Sequence, residues 1–191
     1  MVQRRMPPAA GSRVTVKPAW LMHGLVIAGL AGLSACSPRL DWREVRPEGT
    51  ALIAQLPCKP SRHARQIELA GQRADMNLMS CQAGDATWAV AWVEQADVRS
   101  ISPMLEAWRA ASIRNVAAER TQALPLSVPG ATPQPSAGHW RSVGKRPDGT
   151  AVTQEVALFS HGVQVFQATV LTGNSSLPEA SVFFAGLRFK P

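Results

Sequence analysis

Chemistry in this 191-residue chain would have to come from three cysteines, Cys36, Cys58 and Cys81, from the histidines His63, His139 and His161, and from the neighbouring pair Ser160-His161. A thiolate is a nucleophile, a metal ligand or half of a disulfide. Redox work usually asks for Cys-x-x-Cys or a thiol in an electropositive setting, and neither is evident here. His63 lies among Arg62 and Arg65, which repel a cation. His139 follows a proline-rich stretch, and His161 stands beside Gly162. No two histidines sit at i and i+4 and no carboxylate cluster accompanies them, so they are read as solvated turn residues, and neither a metal nor a cofactor is expected. Gly-x-Ser-x-Gly is absent, and adjacency alone does not make Ser160-His161 a catalytic pair. Asp75, Asp85, Glu94, Asp97 and Glu155 are scattered, whereas glycoside chemistry needs two carboxylates facing one cleft. No glycine-rich phosphate loop is present. The expectation is a non-enzymatic protein.

The first 35 residues read as targeting sequence. Arg4, Arg5, Arg13 and Lys17 open it, no acid precedes Asp41, and an apolar stretch runs from Ala19 to Leu33. A permanent span needs roughly 20 strongly apolar residues. This stretch is shorter and broken by Gly24, Gly29 and Gly32, which favours a cleaved signal. It ends in Leu33-Ser34-Ala35-Cys36, which resembles the lipobox of bacterial lipoproteins: Leu, two small residues, then Cys. The resemblance implies cleavage before Cys36, a diacylglyceryl group on its sulfur, and attachment to a membrane through that lipid. Several acyl chains anchor durably where one binds marginally. Ser37 in place of the Asp that retains enteric lipoproteins at the inner membrane implies the outer membrane, facing the periplasm.

The same resemblance resolves the odd cysteine count. With lipid on Cys36 and an oxidising compartment around the body, Cys58 and Cys81 are expected to pair. Twenty-two residues lie between them, and closing such a loop stabilises by roughly 3 kcal/mol in the chain-entropy model. The charge argument changes too. Four of the 20 Lys and Arg residues precede Cys36 and none of the 13 Asp and Glu do, so the formal +7 of the chain falls to +3 for the mature part. That balance, with no long basic run, does not point to nucleic acid.

The elements follow from pattern. Residues 36–49 are polar and charged and read as a short tether, leaving 50–191 as one globular domain. Leu52–Leu56 is a strand stopped by Pro57. Ile67 and Leu69 alternate before a turn at Ala70-Gly71. Ala74, Met76 and Leu78 alternate against Asp75, Asn77 and Met79. Thr87 to Val93 is apolar on both faces, with Trp88, Val90 and Trp92 on one and Ala89, Ala91 and Val93 on the other, as in a strand covered on both sides. Ser102 as N-cap and Pro103 at the first position open a helix whose inner stripe is Leu105, Trp108, Ser112 and Val116. Leu124 to Gly138 holds four prolines and reads as an extended surface connection. Three strands follow, around Trp140–Arg146, Ala151–Phe159 and Val163–Leu171, then a short helix from Leu177 to Phe184 and a last strand at Leu187–Phe189. This predicts an α+β fold, an antiparallel sheet with helices packed on it.

That order, with Leu56-Pro57, Trp88-Ala89-Val90-Ala91-Trp92, Val165–Val170 and Phe183–Phe189, resembles the fold of the PsbP-type extrinsic subunit of photosystem II and of several small bacterial lipoproteins. The resemblance implies an α/β/α sandwich and carries no activity. None of that subunit's binding residues matches a position here. For function, the leading expectation is a lipid-anchored protein that binds or scaffolds an unknown envelope partner. A carrier of a small apolar ligand, with Met76, Met79, Trp88 and Trp92 lining a pocket, comes second. A hydrolase built on Ser160, His161 and an acid comes last.

Overall fold

The computed structural model describes residues 40–175 and 179–190. The expected signal, residues 1–35, and the expected lipid acceptor Cys36 lie outside the described residues. Ten strands and two α-helices follow in the order β1 (Arg43–Val45), β2 (Leu52–Leu56), β3 (Ser61–Leu69), β4 (Gln72–Ala83), β5 (Ala86–Glu94), α1 (Ile101–Asn115), β6 (Arg120–Leu124), β7 (Gly138–Lys145), β8 (Ala151–His161), β9 (Gln164–Thr172), α2 (Ala180–Ala185) and β10 (Arg188–Phe189). Seven strands form one antiparallel sheet in the order β3-β4-β5-β9-β8-β7-β6. The other three, β1-β2-β10, form a small antiparallel sheet.

The α/β/α sandwich does not form. The chain is mostly β, and only one face of the large sheet carries a helix of more than six residues. Ile101, Met104, Leu105 and Trp108 of α1 pack there on Ala91, Val93, Val156, Leu158 and Val165. The opposite face is covered by the small sheet and α2, through Leu52, Ala54, Leu56, Phe183, Phe184 and Phe189 on Trp88, Val90, Phe159 and Phe166. The physical reason lies at both ends of the chain. The stretch 36–49, read as tether, contributes β1, and Asp41 already donates its backbone N–H to the Pro57 carbonyl at 2.8 Å. Trp42 packs edge-on against Trp88 with ring centroids 5.7 Å apart. At the other end α2 has six residues, too few to roof a sheet face, and the strand that follows it pairs with β2. The helix start expected at Leu177 lies outside the described residues.

Within this frame much of the patterning holds. β5 is interior, between β4 and β9, and buries both faces as its two-sided apolar run requires. The inner stripe of α1 is buried at Leu105, Trp108, Ser112 and Val116. Its start shifts to Ile101, because Ser102 Oγ turns to Ser136 Oγ at 2.6 Å instead of capping. The last turn of α1 lies hard against β7: a Cβ at Gly144 would sit 2.0 Å from the Val116 carbonyl oxygen, and the Lys145 N–H donates to that oxygen at 2.7 Å. Only glycine allows that approach.

Cys58 and Cys81 form a disulfide, Cα to Cα 5.9 Å, joining the exit of β2 to β4 and so the small sheet to the large one. Among the described residues no helix is long and apolar enough to cross a membrane.

Candidate functional site

Among the described residues, the charged cluster drawn into the body grows from the pairing of β7 with β8. Antiparallel register sets Arg141 opposite Glu155 and His139 opposite Ala157. Residues two apart in a strand share a face, so His139 and Arg141 converge on the single carboxylate that β8 carries. His139 Nε2 lies 3.1 Å from Glu155 Oε1, while Arg141 donates to Oε2 from Nε at 2.9 Å and Nη2 at 2.8 Å. The Glu155 side chain is 8% exposed and that of His139 10%. Burial pushes the Glu155 carboxyl up, but the hydrogen bonds from His139 and Arg141, with the charge of Arg141, outweigh it and hold the group below the usual glutamate range.

The other ring nitrogen of His139, Nδ1, lies 2.9 Å from the Pro125 carbonyl oxygen. A carbonyl and an ionised carboxylate only accept, so both contacts are hydrogen bonds when both ring nitrogens carry protons. The ring lies 4.3 Å from that of Phe184 in α2. The cluster thus ties three parts together: the sheet, the start of the proline-rich connection, and α2. Beside it opens a cleft of about 350 Å³ lined by Leu124, Leu126, Val128, Phe184 and Leu187. Both oxygens of Glu155 accept, and both ring nitrogens of His139 stand within hydrogen-bond distance of protein oxygens.

The expected solvated histidines divide. His63 is exposed on edge strand β3, near Ser61 Oγ at 3.2 Å. His139 is in a strand and largely buried. His161 ends β8, with Nδ1 2.9 Å from the Gly130 carbonyl oxygen and its ring stacked on Phe189 at 4.2 Å. Ser160 and His161 are consecutive in a strand and face opposite sides. Ser160 Oγ is buried with no hydrogen-bond partner, so the two form no catalytic pair. Met76 and Met79 likewise face opposite sides of β4, in different cores, and Met79 and Trp88 are sealed. The single pocket expected from Met76, Met79, Trp88 and Trp92 is not assembled.

Two expectations are corrected: Glu155, counted among the scattered acids, is buried within β8, and a Ser-x-x-Lys spacing is present. Glu155 is a lone acid in an otherwise neutral run, Ala151–Ser160, and an acid inside such a run was the available signal. Ser142-Val143-Gly144-Lys145 has the Ser-x-x-Lys spacing, which brings the two side chains together on a helix. On β7 they diverge: buried Ser142 Oγ lies 3.0 Å from Thr121 Oγ1, and Lys145 pairs with Glu119 at 2.7 Å. Asp85, Glu94 and Asp97 stay at turns and strand ends, and Asp75 is exposed within β4 opposite Gln66. Among the described residues no three His, Cys, Asp or Glu side chains gather as a metal site.

A second, larger groove of about 860 Å³ runs between α1 and the β6–β7 edge, lined by Glu106, Arg109, Ile113, Ala123 and Trp140. The Arg109 guanidinium lies 5.3 Å over the Trp140 ring. No family model matches this chain, and no curated protein matches it.

Proposed function

We propose that this chain is a lipid-anchored protein of the bacterial envelope, held to a membrane through Cys36, whose folded body works by binding an envelope partner and not by catalysis. The observation that carries the reading is the division of the cysteines. Cys58 and Cys81 are consumed by each other, which suits an oxidising compartment. Cys36, at the end of a charged, apolar and small-residue series, is the thiol left over. The outer membrane, with the body in the periplasm, is the address that Ser37 favours. The engaged His139–Glu155–Arg141 cluster adds weight to binding over chemistry, because its partners are spent on one another.

The test is metabolic labelling with an alkyne fatty acid, followed by membrane fractionation of wild type and Cys36→Ser. Wild type is expected to carry the label and sediment with membranes. Cys36→Ser is expected to lose the label and accumulate as a larger, uncleaved chain. Equal labelling of both would sink the reading. In-cell crosslinking of the same pair then reports the partner, which should be captured only by the anchored form.

Carriage of a small apolar ligand is a second reading. The cleft beneath Phe184 and Leu187 supports it, being largely apolar with a polar cluster at one wall. Organic extraction and mass spectrometry of protein purified from membranes should return a stoichiometric small molecule if this reading holds, and none if it does not.

A further inference from the structure

The short reach of chain between Cys36 and Asp41 restricts which part of the body can lie on the bilayer. Asp41 is fixed to Pro57. Four residues lie between Cys36 and Asp41, which makes five residue-to-residue steps, and an extended chain spans at most about 3.6 Å per step. Whatever its path, Asp41 therefore stays within about 18 Å of the lipidated cysteine.

Asp41, Pro57 and the Cys58–Cys81 disulfide stand at one end of the large sheet. One rung of the ladder marks that end, running through Ala83, Ala86, Thr172, Thr153, Val143 and Arg120. Beyond it project the β4–β5 turn and the β7–β8 turn, and the α1 C-terminus meets β7 there through Val116 and Lys145. Four exposed cations decorate this end: Lys59, Arg114, Arg120 and Arg146. None of them is in an ion pair among the described residues. Two of the carboxylates there are already neutralised, Asp41 by Arg43 and Glu119 by Lys145. Asp85 and Asp148 are in no ion pair among the described residues; Asp148 accepts from the Thr150 N–H at 2.9 Å and lies within the field of Arg146. Half-buried Trp42 lies beside the tether, and an indole with an apolar body and a polar N–H suits a membrane interface.

The opposite end differs. Along β4 the nine residue-to-residue steps from Cys81 to Gln72 carry the chain about 30 Å away, farther than the tether reaches. Exposed Arg65 and Arg73 are balanced there by exposed Glu68 and Asp75.

We infer that the end of the sheet bearing Trp42, Lys59 and Arg146 is the face that rests on a bilayer, with its unpaired cations on anionic phospholipid headgroups. The inference rests on lipidation of Cys36, and the experiment separates the two. The lipidated full-length mature chain is purified from membranes and reconstituted into vesicles of phosphatidylethanolamine with phosphatidylglycerol, or of phosphatidylcholine alone. Each vesicle carries a phospholipid with a photoreactive headgroup. Mass spectrometry first reads the Cys36 peptide, then maps lipid adducts on the body.

The expected result is a diacylglyceryl group on Cys36, with adducts on the Trp42 and Lys59 peptides and the 145–149 turn. Yield at the turn should be higher with phosphatidylglycerol. Lys59→Gln with Arg146→Gln should lower that yield by about fivefold per charge removed, in the anionic vesicles only. Adducts at the Ala70-Gly71 tip, equal yields in both vesicles, or no adducts on the body of a lipidated chain would each overturn the inference alone. A bare Cys36 would overturn the anchored reading, and this face with it.

Discussion

The two faces of the seven-stranded sheet are covered by layers of different width. On one, three strands, α2 and the proline-rich connection lie side by side, and the rings of Trp88, Phe159, Phe166 and Phe183 are all sealed to within 1% of full burial. The connection is itself stitched down: the Phe189 N–H donates to the Pro129 carbonyl, and Leu126, Val128 and Ala131 pack on the core. On the other face a single helix crosses β8 and β9. A helix with its side chains is about 10–12 Å across, whereas seven strands span about 30 Å. Helix α1 cannot cover that width, and the uncovered strip beside β6 and β7 is the larger groove. Where the covering layer is wide the fold is stored as packing. Where it is narrow the surface is left open.

Hollowing the wide layer has the largest expected effect. Trp88 stands edge-on to both Trp42 and Phe183, at 5.7 and 5.6 Å, so Trp88→Ala removes at once the contacts of β5 with the residue before β1 and with α2. A cost of about 4 kcal/mol is expected from urea unfolding of the oxidised protein. A change under about 1 kcal/mol would mean that the small sheet adds little. Reduction of Cys58–Cys81, or Cys58→Ser with Cys81→Ser, comes next at about 3 kcal/mol. It frees the small sheet from β4 but leaves the α1 face intact, so near-ultraviolet signals from Trp88 should soften before those from Trp108.

The buried cluster is third. Glu155→Gln keeps the shape and removes the charge that Arg141 and His139 share, for an expected loss of about 2 kcal/mol. Its pH signature has a definite sign. The folded carboxyl is held below its unfolded value, so the stabilisation is fully present above about pH 4.3. It is lost as pH falls through the lower folded value. Wild type should therefore lose stability faster than Glu155→Gln on acidification below about pH 5. Parallel profiles in acid would show that the carboxylate is not what ties the connection and α2 to the sheet.

These regions were legible in the sequence to different degrees, for physical reasons. β5 announces itself because both faces are apolar, and α1 because its buried stripe keeps helical spacing. The disulfide followed once Cys36 was set aside. Strand β1 was hidden because Arg43-Glu44-Val45 is a polar tripeptide that becomes a strand only by pairing with β2. Strand β6, Arg-Thr-Gln-Ala-Leu, is an exposed edge with the composition of a loop. Missing β1 turned a sheet layer into an expected helical one, and with it the sandwich. The cluster was hidden for a related reason. His139, Arg141 and Glu155 meet only through the β7–β8 register, and single residues do not advertise the long-range partner that will face them.

The smallest effect belongs to the narrow layer and sharpens the comparison most. Arg109 is exposed on α1, where its guanidinium covers the Trp140 ring at the floor of the groove. Trp140 is 3% exposed, and its Nε1 is buried without a hydrogen-bond partner. An exposed cation–π contact contributes about 0.5–1 kcal/mol. Arg109→Ala should therefore lower the thermal midpoint by only about 1–4 °C in a chain of this size. It should also uncover the ring, and Trp140 emission should become more accessible to iodide, while Trp88 stays shielded in the same protein. If quenching of both were unchanged, the strip beside α1 would be as closed as the opposite face, and layer width would not be what opens this molecule.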